Sequence, residues 1–434
     1  MLDRLRGPLV RNIGWAAGAE IIQMLISSGV FFVLAALLTV AEFGLYSATL
    51  ALAFIGGSVA SFGAHILLVQ RVNQGSDLSS EWPRSLGLVA VGDLLAFALL
   101  MGLRSIVLPE VGALTFALLV LAQLNFHWIV ELAVHAGVAV RRLDLGAKAR
   151  LLVGAARALL LLMFWLGGTD SLERWAVHSF AASLAGSIVA VLLIGRALGL
   201  PVRLRPPNLS DLRFGSTYGL NSATEGVLDA VDRPLLVRYG FDDGAGHYSV
   251  AARVSAMAVI AQVALIRASD ADLYEAAARG PRAALAVVRK MAIPSVGVGA
   301  LTGLGMAIGA PLVPLVVGDK FDPAVPLIQA LAVVPMVKGL QYFLGNVLTA
   351  VDRQPLRFSL TIAAMLFNLI GNIILLPRHG AAAAVGTTIA SEIGLLGLFW
   401  LALRYIVIPD HDRRPDPAPD TEPPPEAIST KENQ

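Results

Sequence analysis

Apolar residues run along this chain in blocks of about 20 or more, the length a helix needs to cross a hydrocarbon core about 30 Å thick. Polar residues gather in the short gaps between the blocks. Taken in order, the blocks predict roughly twelve helices at 12–38, 45–70, 85–108, 111–138, 150–167, 175–198, 213–238, 247–268, 291–317, 323–350, 356–377 and 381–408. The fifth is the shortest. The seventh is out of character, because Asn221, Glu225, Asp229 and Asp232 fall at i, i+4, i+8 and i+11 and so share one helical face. Ionisable groups at membrane depth face protein or water. The stripe therefore predicts the wall of an aqueous cavity, against the plainer alternative of a helix lying in solvent with idle acids.

Composition agrees with a membrane protein. Of 434 residues, 56% are hydrophobic and 15% charged, with mean hydropathy +0.71, whereas soluble domains carry about a quarter charged residues. The apolar run from Ile13 to about Val40 exceeds the roughly 7–15 residues of a cleavable signal, so it reads as a retained first helix. The chain has no cysteine, which excludes disulfides, thiol nucleophiles and Cys-ligated metal sites. The net charge of +2 gives no support to a nucleic-acid partner.

With the N-terminus inside, the inner connections collect most of the basic residues, among them Arg71, Arg84, Arg141, Arg142, Lys148, Arg150, Arg282, Arg289, Arg353 and Arg357. The outer connections hold few, which places both termini in the cytoplasm. The outer gaps are short and offer no external domain for an active site. The longest inner gap, Ser269 to Lys290, suits either an amphipathic surface helix or a solvated connector. Residues 409–434, rich in Pro and acids, read as a disordered cytoplasmic tail.

A repeat divides the rest. Gly44-Leu45-Tyr46-Ser47-Ala48-Thr49 opens the second helix and Gly246-His247-Tyr248-Ser249-Val250-Ala251 the eighth, an offset of 246 − 44 = 202 residues. Two lobes of six helices follow, 1–206 and 207–408, as parallel repeats with a substrate site between them at mid-membrane. The same offset maps Gln23, Ser27 and Val30 onto Glu225, Asp229 and Asp232, so only the second lobe carries acids on this face.

The stretches AEFGLYSATLALAF (41–54), GHYSVAARV (246–254), PLVVGDKFDPAVPLIQALAVVP (314–335) and NLIGNIILLPRHGAAAAVGTTIAS (368–391) resemble the Wzx-type lipid-linked oligosaccharide flippases of the polysaccharide transport family, relatives of the MATE exporters in the MOP superfamily. The resemblance implies an all-α polytopic membrane protein of MATE-like fold, its two lobes rocking about a central cavity in a bacterial inner membrane. It implies a flippase, not an enzyme, that carries an undecaprenyl-pyrophosphate-linked glycan to the outer leaflet, with polysaccharide polymerase machinery as a partner. Two departures stand out: Ile266-Arg267 replaces a proline expected near the inner end of the eighth helix, and the acids of helix seven are denser than the family pattern requires. A MATE-like exporter of amphiphilic drugs driven by H⁺ or Na⁺ is the alternative, and the acidic face suits its cationic cargo.

A lipid pyrophosphate needs cations in a low-dielectric vestibule, and Arg binds phosphate oxygens bidentately. Lys338, about 22 Å along helix ten, Arg253, about 9 Å into helix eight, and Arg157, about 10 Å into helix five, are the deep candidates, with Arg233 at the outer part of helix seven. Arg253 and Arg157 also suit snorkelling to headgroups, and Arg233 suits an ion pair with Asp229. Glu225, about 18 Å along helix seven, and Glu392, similarly deep in helix twelve, join Asn221, Asp229 and Asp232 as candidates for a coupling ion. A buried acid paired with Arg253 or Lys338 is the rival reading. Gln123, His127, Glu131 and His135 recur at i+4 along helix four and, with Gln341, read as a polar cavity wall; a metal site needs three or four converging ligands. No cofactor is implied, and no GxxxxGK[ST] loop occurs for direct ATP drive.

Overall fold

The computed structural model describes residues 8–168 and 171–412, and the side chains of all of these except 8–21, 125, 126 and 412. The predicted tail beyond residue 412 lies outside the described residues.

Helices follow the apolar blocks in order. The first passes are α1 (Pro8–Leu37), α2 (Val40–Ala60) continued by α3 (Ala64–Asn73), α4 (Leu78–Val107), α5 (Ala113–Leu124) leading through a π-helical turn into α6 (Val130–Ala139), α7 (Leu143–Leu166) and α8 (Leu172–Leu198). Then come α9 (Leu209–Ala230) with α10 (Asp232–Arg238), α11 (Asp242–Ala278), α12 (Pro281–Gly309) with α13 (Val313–Val317), α14 (Ala324–Leu331) with α15 (Val334–Ala350), α16 (Gln354–His379) and α17 (Ala381–Ala402), which runs through a second π turn into α18 (Ile408–Asp412). Among the described residues, ten helical runs are long and apolar enough to cross a membrane, with Ile22–Leu37 a shorter apolar helix. The α9 run, with its Asp211, Arg213, Glu225 and Asp229, is not among the ten.

Local chemistry explains the starts and breaks. Thr39 opens α2 with a capping box, its hydroxyl accepting from the Glu42 amide at 3.2 Å while Glu42 Oε2 accepts from the Thr39 amide at 3.0 Å. Pro234 cannot donate to Ala230 and its ring crowds that carbonyl, so the seventh pass breaks at Val231. Pro335 stands in the same relation to Leu331, and α14 gives way to α15 there.

Three expectations are corrected. The fifth pass is a full helix of 24 residues, because α7 begins at Leu143 and takes in Lys148 and Arg150. No separate surface helix fills 269–290: α11 continues to Ala278, burying Leu273 and Ala277 against the cluster around Phe343, and Gly280 at φ +107° reverses the chain into α12. Helix also persists through Asp412, past the expected start of the tail at 409.

The two copies of the repeated motif meet. A Cβ on Gly44 would strike the Asp242 carbonyl and the Gly246 amide, and one on Gly246 would strike the Val40 carbonyl. Close backbone approach of this kind is how helices associate where lipid competes for apolar contact. At the same end Lys320 donates to the carbonyls of Ala36, at 2.7 Å, and Leu38, at 2.5 Å. One apolar cluster runs across the contact, from Phe43 and Tyr46 to Tyr248 and Phe321. Elsewhere Leu94, Leu99, Leu114, Leu166, Ile293, Leu301 and Ile308 stand exposed, which suits surfaces bathed in hydrocarbon rather than water.

Candidate functional site

Beyond the Gly44 and Gly246 contact, helices from both halves of the chain line two neighbouring compartments of a central cavity. One compartment, about 450 Å³, is lined by Gln23, Ser27 and Ser28 of α1, His127 and Glu131, Arg150 of α7 and Arg253 of α11. A second, about 330 Å³, is lined by Tyr46 and Ser47 of α2, Gln123 of α5, Arg157 of α7, Arg233 of α10, and Ser249 and Arg253 of α11. Ser27, Arg253 and Ala256 belong to both, so the compartments adjoin.

The electrostatics of this cavity are lopsided. Arg253 Nη2 donates to the hydroxyls of Ser27 at 2.9 Å and Ser28 at 3.1 Å, and its guanidinium lies 5.4 Å from the Phe31 ring centre. Arg157 donates to the Tyr46 hydroxyl at 3.4 Å. The Nε groups of Arg233 and Arg253 are buried with no hydrogen-bond partner among the described residues. In the first compartment Glu131 accepts from Arg150 at 2.8 and 3.0 Å, so its charge is met. The second compartment has three arginines in its wall and no acid. Such a wall favours an anion, and guanidinium groups present paired donors to phosphate oxygens.

A different pocket, about 240 Å³, lies among the later helices, lined by Glu225 and Asp229 of α9, Lys338, Gln341 and Tyr342 of α15, Arg357 and Thr361 of α16 and Glu392 of α17. Lys338 Nζ donates to Asp229 Oδ1 at 2.8 Å and lies 3.0 Å from Glu392 Oε1. The Glu392 side chain is 3% exposed and that of Asp229 56%, so Lys338 bridges a sealed acid and an accessible one.

The candidate residues therefore separate into two groups. Arg157, Arg233, Arg253, Gln123, His127 and Glu131 come together on the central cavity. Lys338, expected beside the arginines, instead sits with Glu225, Asp229, Gln341 and Glu392; a buried ammonium finds its partners where the acids are. Asn221 lies beside Glu225 on the same face of α9. Asp232 leaves that face because the helix breaks at Val231. It accepts from the Arg233 amide at 3.0 Å and lies near the Tyr248 hydroxyl, which shares a 2.9 Å hydrogen bond with the Thr388 hydroxyl. Asp229 is bonded to Lys338, whereas Arg233 faces the central cavity. Sequence reasoning missed Arg150, placed in an inner connection, although its spacing of seven from Arg157 puts both on one face of a helix. It also missed Arg357, Tyr342 and Thr361, which carried no signal of their own.

A family model described as polysaccharide biosynthesis protein matches residues 9–268. No curated protein matches the sequence. Among solved structures, an inward-facing multidrug resistance MATE family transporter of the MOP superfamily superposes with TM-score 0.68 at 12% identity, over 90% of this chain and 96% of that one. The lipid II flippase MurJ in an inward closed conformation gives TM-score 0.67 at 11% identity, over 89% and 86%. A MOP superfamily transporter from Pyrococcus furiosus, described by the reverse polarity of its binding pocket, gives 0.55 at 13% identity, over 92% of each chain. These likenesses show the fold alone, an all-α fold like that of the MATE transporters.

Proposed function

The chain belongs to the polysaccharide biosynthesis protein family, and from that membership we propose that it flips an undecaprenyl-pyrophosphate-linked oligosaccharide from the cytoplasmic to the outer leaflet of a bacterial inner membrane. Membership and fold make it a multi-pass membrane flippase or transporter. The observation that supports the finer reading is the wall shared by Arg157, Arg233 and Arg253, with no acid in their compartment. A dianionic pyrophosphate is met there by guanidinium forks, at a site where low dielectric strengthens each contact. That one similar structure is a lipid II flippase is in keeping with a lipid-linked cargo.

Transport in this reading is alternating access. The α2 and α11 backbones meet at Gly44 and Gly246; in this reading that contact closes one end of the cavity, and rocking of the two sets of helices opens it. No covalent bond changes. The richer basic content of the opposite end supports a cytoplasmic position for that end and for both termini. A coupling ion, H⁺ or Na⁺, acts at Asp229 and Glu392 by competing with the Lys338 ammonium, so that ion binding loosens α15 from α9 and α17. The cationic central wall disfavours export of cationic drugs, which the acidic pocket alone would have suited.

The binding step is tested by titrating the purified protein with undecaprenyl pyrophosphate and with undecaprenol. The reading requires the pyrophosphate to bind at least about tenfold more tightly and Arg253→Gln to remove most of that preference. Equal affinity for the two lipids would sink it.

A further inference from the structure

The segment that joins the two halves of the chain is a strap laid on α4. It leaves the end of α8, a membrane-spanning run, at Gly199 with φ +64°. The Leu200 amide donates to the Gly195 carbonyl at 2.8 Å, and the Arg205 amide to the Pro83 carbonyl of α4 at 3.0 Å. A Cβ on Gly87 would strike the Arg205 carbonyl, so it is the backbone of the strap that meets the helix. Leu204 is 67% exposed, and Arg203 and Arg205 on either side of it are exposed too. The first turns of α9 continue the pattern: Leu209 and Phe214 are 83% and 65% exposed, and Arg213 stands exposed between them. The one acid between 199 and 216, Asp211, is buried and ion-paired to Arg71, which also donates to Glu81 at 3.0 Å.

We propose that the strap and the start of α9 dock on anionic phospholipid headgroups of the leaflet at this end of the bundle, with Arg203, Arg205 and Arg213 against the phosphates and Leu204, Leu209 and Phe214 among the acyl chains. The mixture of side chains selects this occupant. Exposed arginines alone suit any polyanion, but arginines interleaved with exposed apolar side chains suit a boundary where water meets hydrocarbon. The end of a membrane-spanning helix is where that boundary lies, and each basic residue held there adds to the attraction of an anionic surface. Residues 413–434 supply acids but almost no apolar side chains, so they answer the arginines and leave Leu204, Leu209 and Phe214 in water. None of these six residues lines the central cavity, so the site is independent of the cargo carried there. The position gives it a consequence. The strap is the covalent link between the halves, and headgroups bound to it hold that link and the inner part of α4 at the membrane surface, so that lipid charge acts on how far α9 swings from α4.

Leu204→Trp supplies the readout. The full chain is reconstituted in phosphatidylethanolamine vesicles containing brominated phosphatidylglycerol or brominated phosphatidylethanolamine, and quenching at 204 is taken as the difference between Leu204→Trp and the unmodified chain. Brominated phosphatidylglycerol is expected to quench at a mole fraction about tenfold lower than brominated phosphatidylethanolamine. Arg203→Gln with Arg205→Gln and Arg213→Gln makes the two quenching curves coincide, and because all three side chains are exposed the melting temperature is kept. Leu304→Trp, at an exposed position far along α12, is quenched equally by both lipids. Arg253→Gln leaves the preference at 204 unchanged, which separates this site from the central cavity and its cargo. Equal quenching by the two lipids at 204 overturns the proposal, as does a preference that survives the triple arginine variant or is just as large at 304. Absence of quenching at 204 by either lipid puts the strap in water and overturns it. A preference that appears only after deletion of residues 413–434 identifies that segment as the occupant and overturns it too.

Discussion

Gly44 of α2 and Gly246 of α11, equivalent positions of the internal repeat, pack backbone to backbone, and there is no room for a side chain on either. The contact joins the two halves of the chain at one end of the arginine cavity. Ser47 and Ser249, three residues beyond each glycine, both line that cavity and both keep a buried hydroxyl without a partner among the described residues. Gly44→Ala and Gly246→Ala each force apart the helices that seal this end, at a cost of about 1–3 kcal/mol. Thermal unfolding of the detergent-purified protein reads the loss. Gly386→Ala and Gly394→Ala, where a Cβ meets nothing within 4 Å, serve as neutral controls and are expected to keep the melting temperature.

Lys338 neutralises an acid that has little other recourse. Glu392 is 3% exposed, so Lys338→Met leaves a sealed carboxylate without its cation and destabilises by about 3–5 kcal/mol. Removing both charges, as Lys338→Met with Glu392→Gln, restores most of that stability. Asp229 is 56% exposed, and Asp229→Asn costs no more than about 1 kcal/mol. A double variant as unstable as Lys338→Met alone would mean that the lysine is kept for packing rather than for charge.

The absence of cysteine makes the acidic stripe testable residue by residue. Single cysteines at 225 and 229 replace exposed side chains, while Asp232 is 1% exposed and accepts from the Arg233 amide. Aqueous maleimide is therefore expected to modify Glu225→Cys and Asp229→Cys at least tenfold faster than Asp232→Cys. Equal rates at all three would return Asp232 to the shared face that simple helical spacing assigned to it.

That assignment shows where the sequence was legible and where it was not. Among the described residues, ten helical runs long and apolar enough to cross a membrane, with Ile22–Leu37 as a shorter apolar helix, follow from the lengths of the apolar blocks; the charged α9 run lacks that signature. The repeat was legible as a pair of motifs, and the structure turns it into a contact between them. Asp232 was misplaced although the signal was present: Pro234 forbids an unbroken helix through Ala230. Lys338 was misplaced as a pyrophosphate ligand, although the rival reading of a buried acid paired with it holds for Glu392. Its partner Asp229 is 109 residues away, and helical spacing fixes which side chains share a face but not which helix that face meets. Arg357 and Tyr342 went unnoticed on the same ground, because only the packing of α15 and α16 against α9 gives them a common pocket.

The central claim is that the arginine cavity carries a lipid pyrophosphate across the membrane. The direct measurement is leaflet exchange of a labelled undecaprenyl-pyrophosphate oligosaccharide in proteoliposomes, comparing the unmodified chain with the Arg157→Gln, Arg233→Gln, Arg253→Gln triple variant. The account predicts exchange well above that of empty liposomes for the unmodified chain, and at least a tenfold loss in the triple variant with its fold retained. Exchange no faster than in empty liposomes, or a folded triple variant that flips the lipid at the original rate, would contradict it.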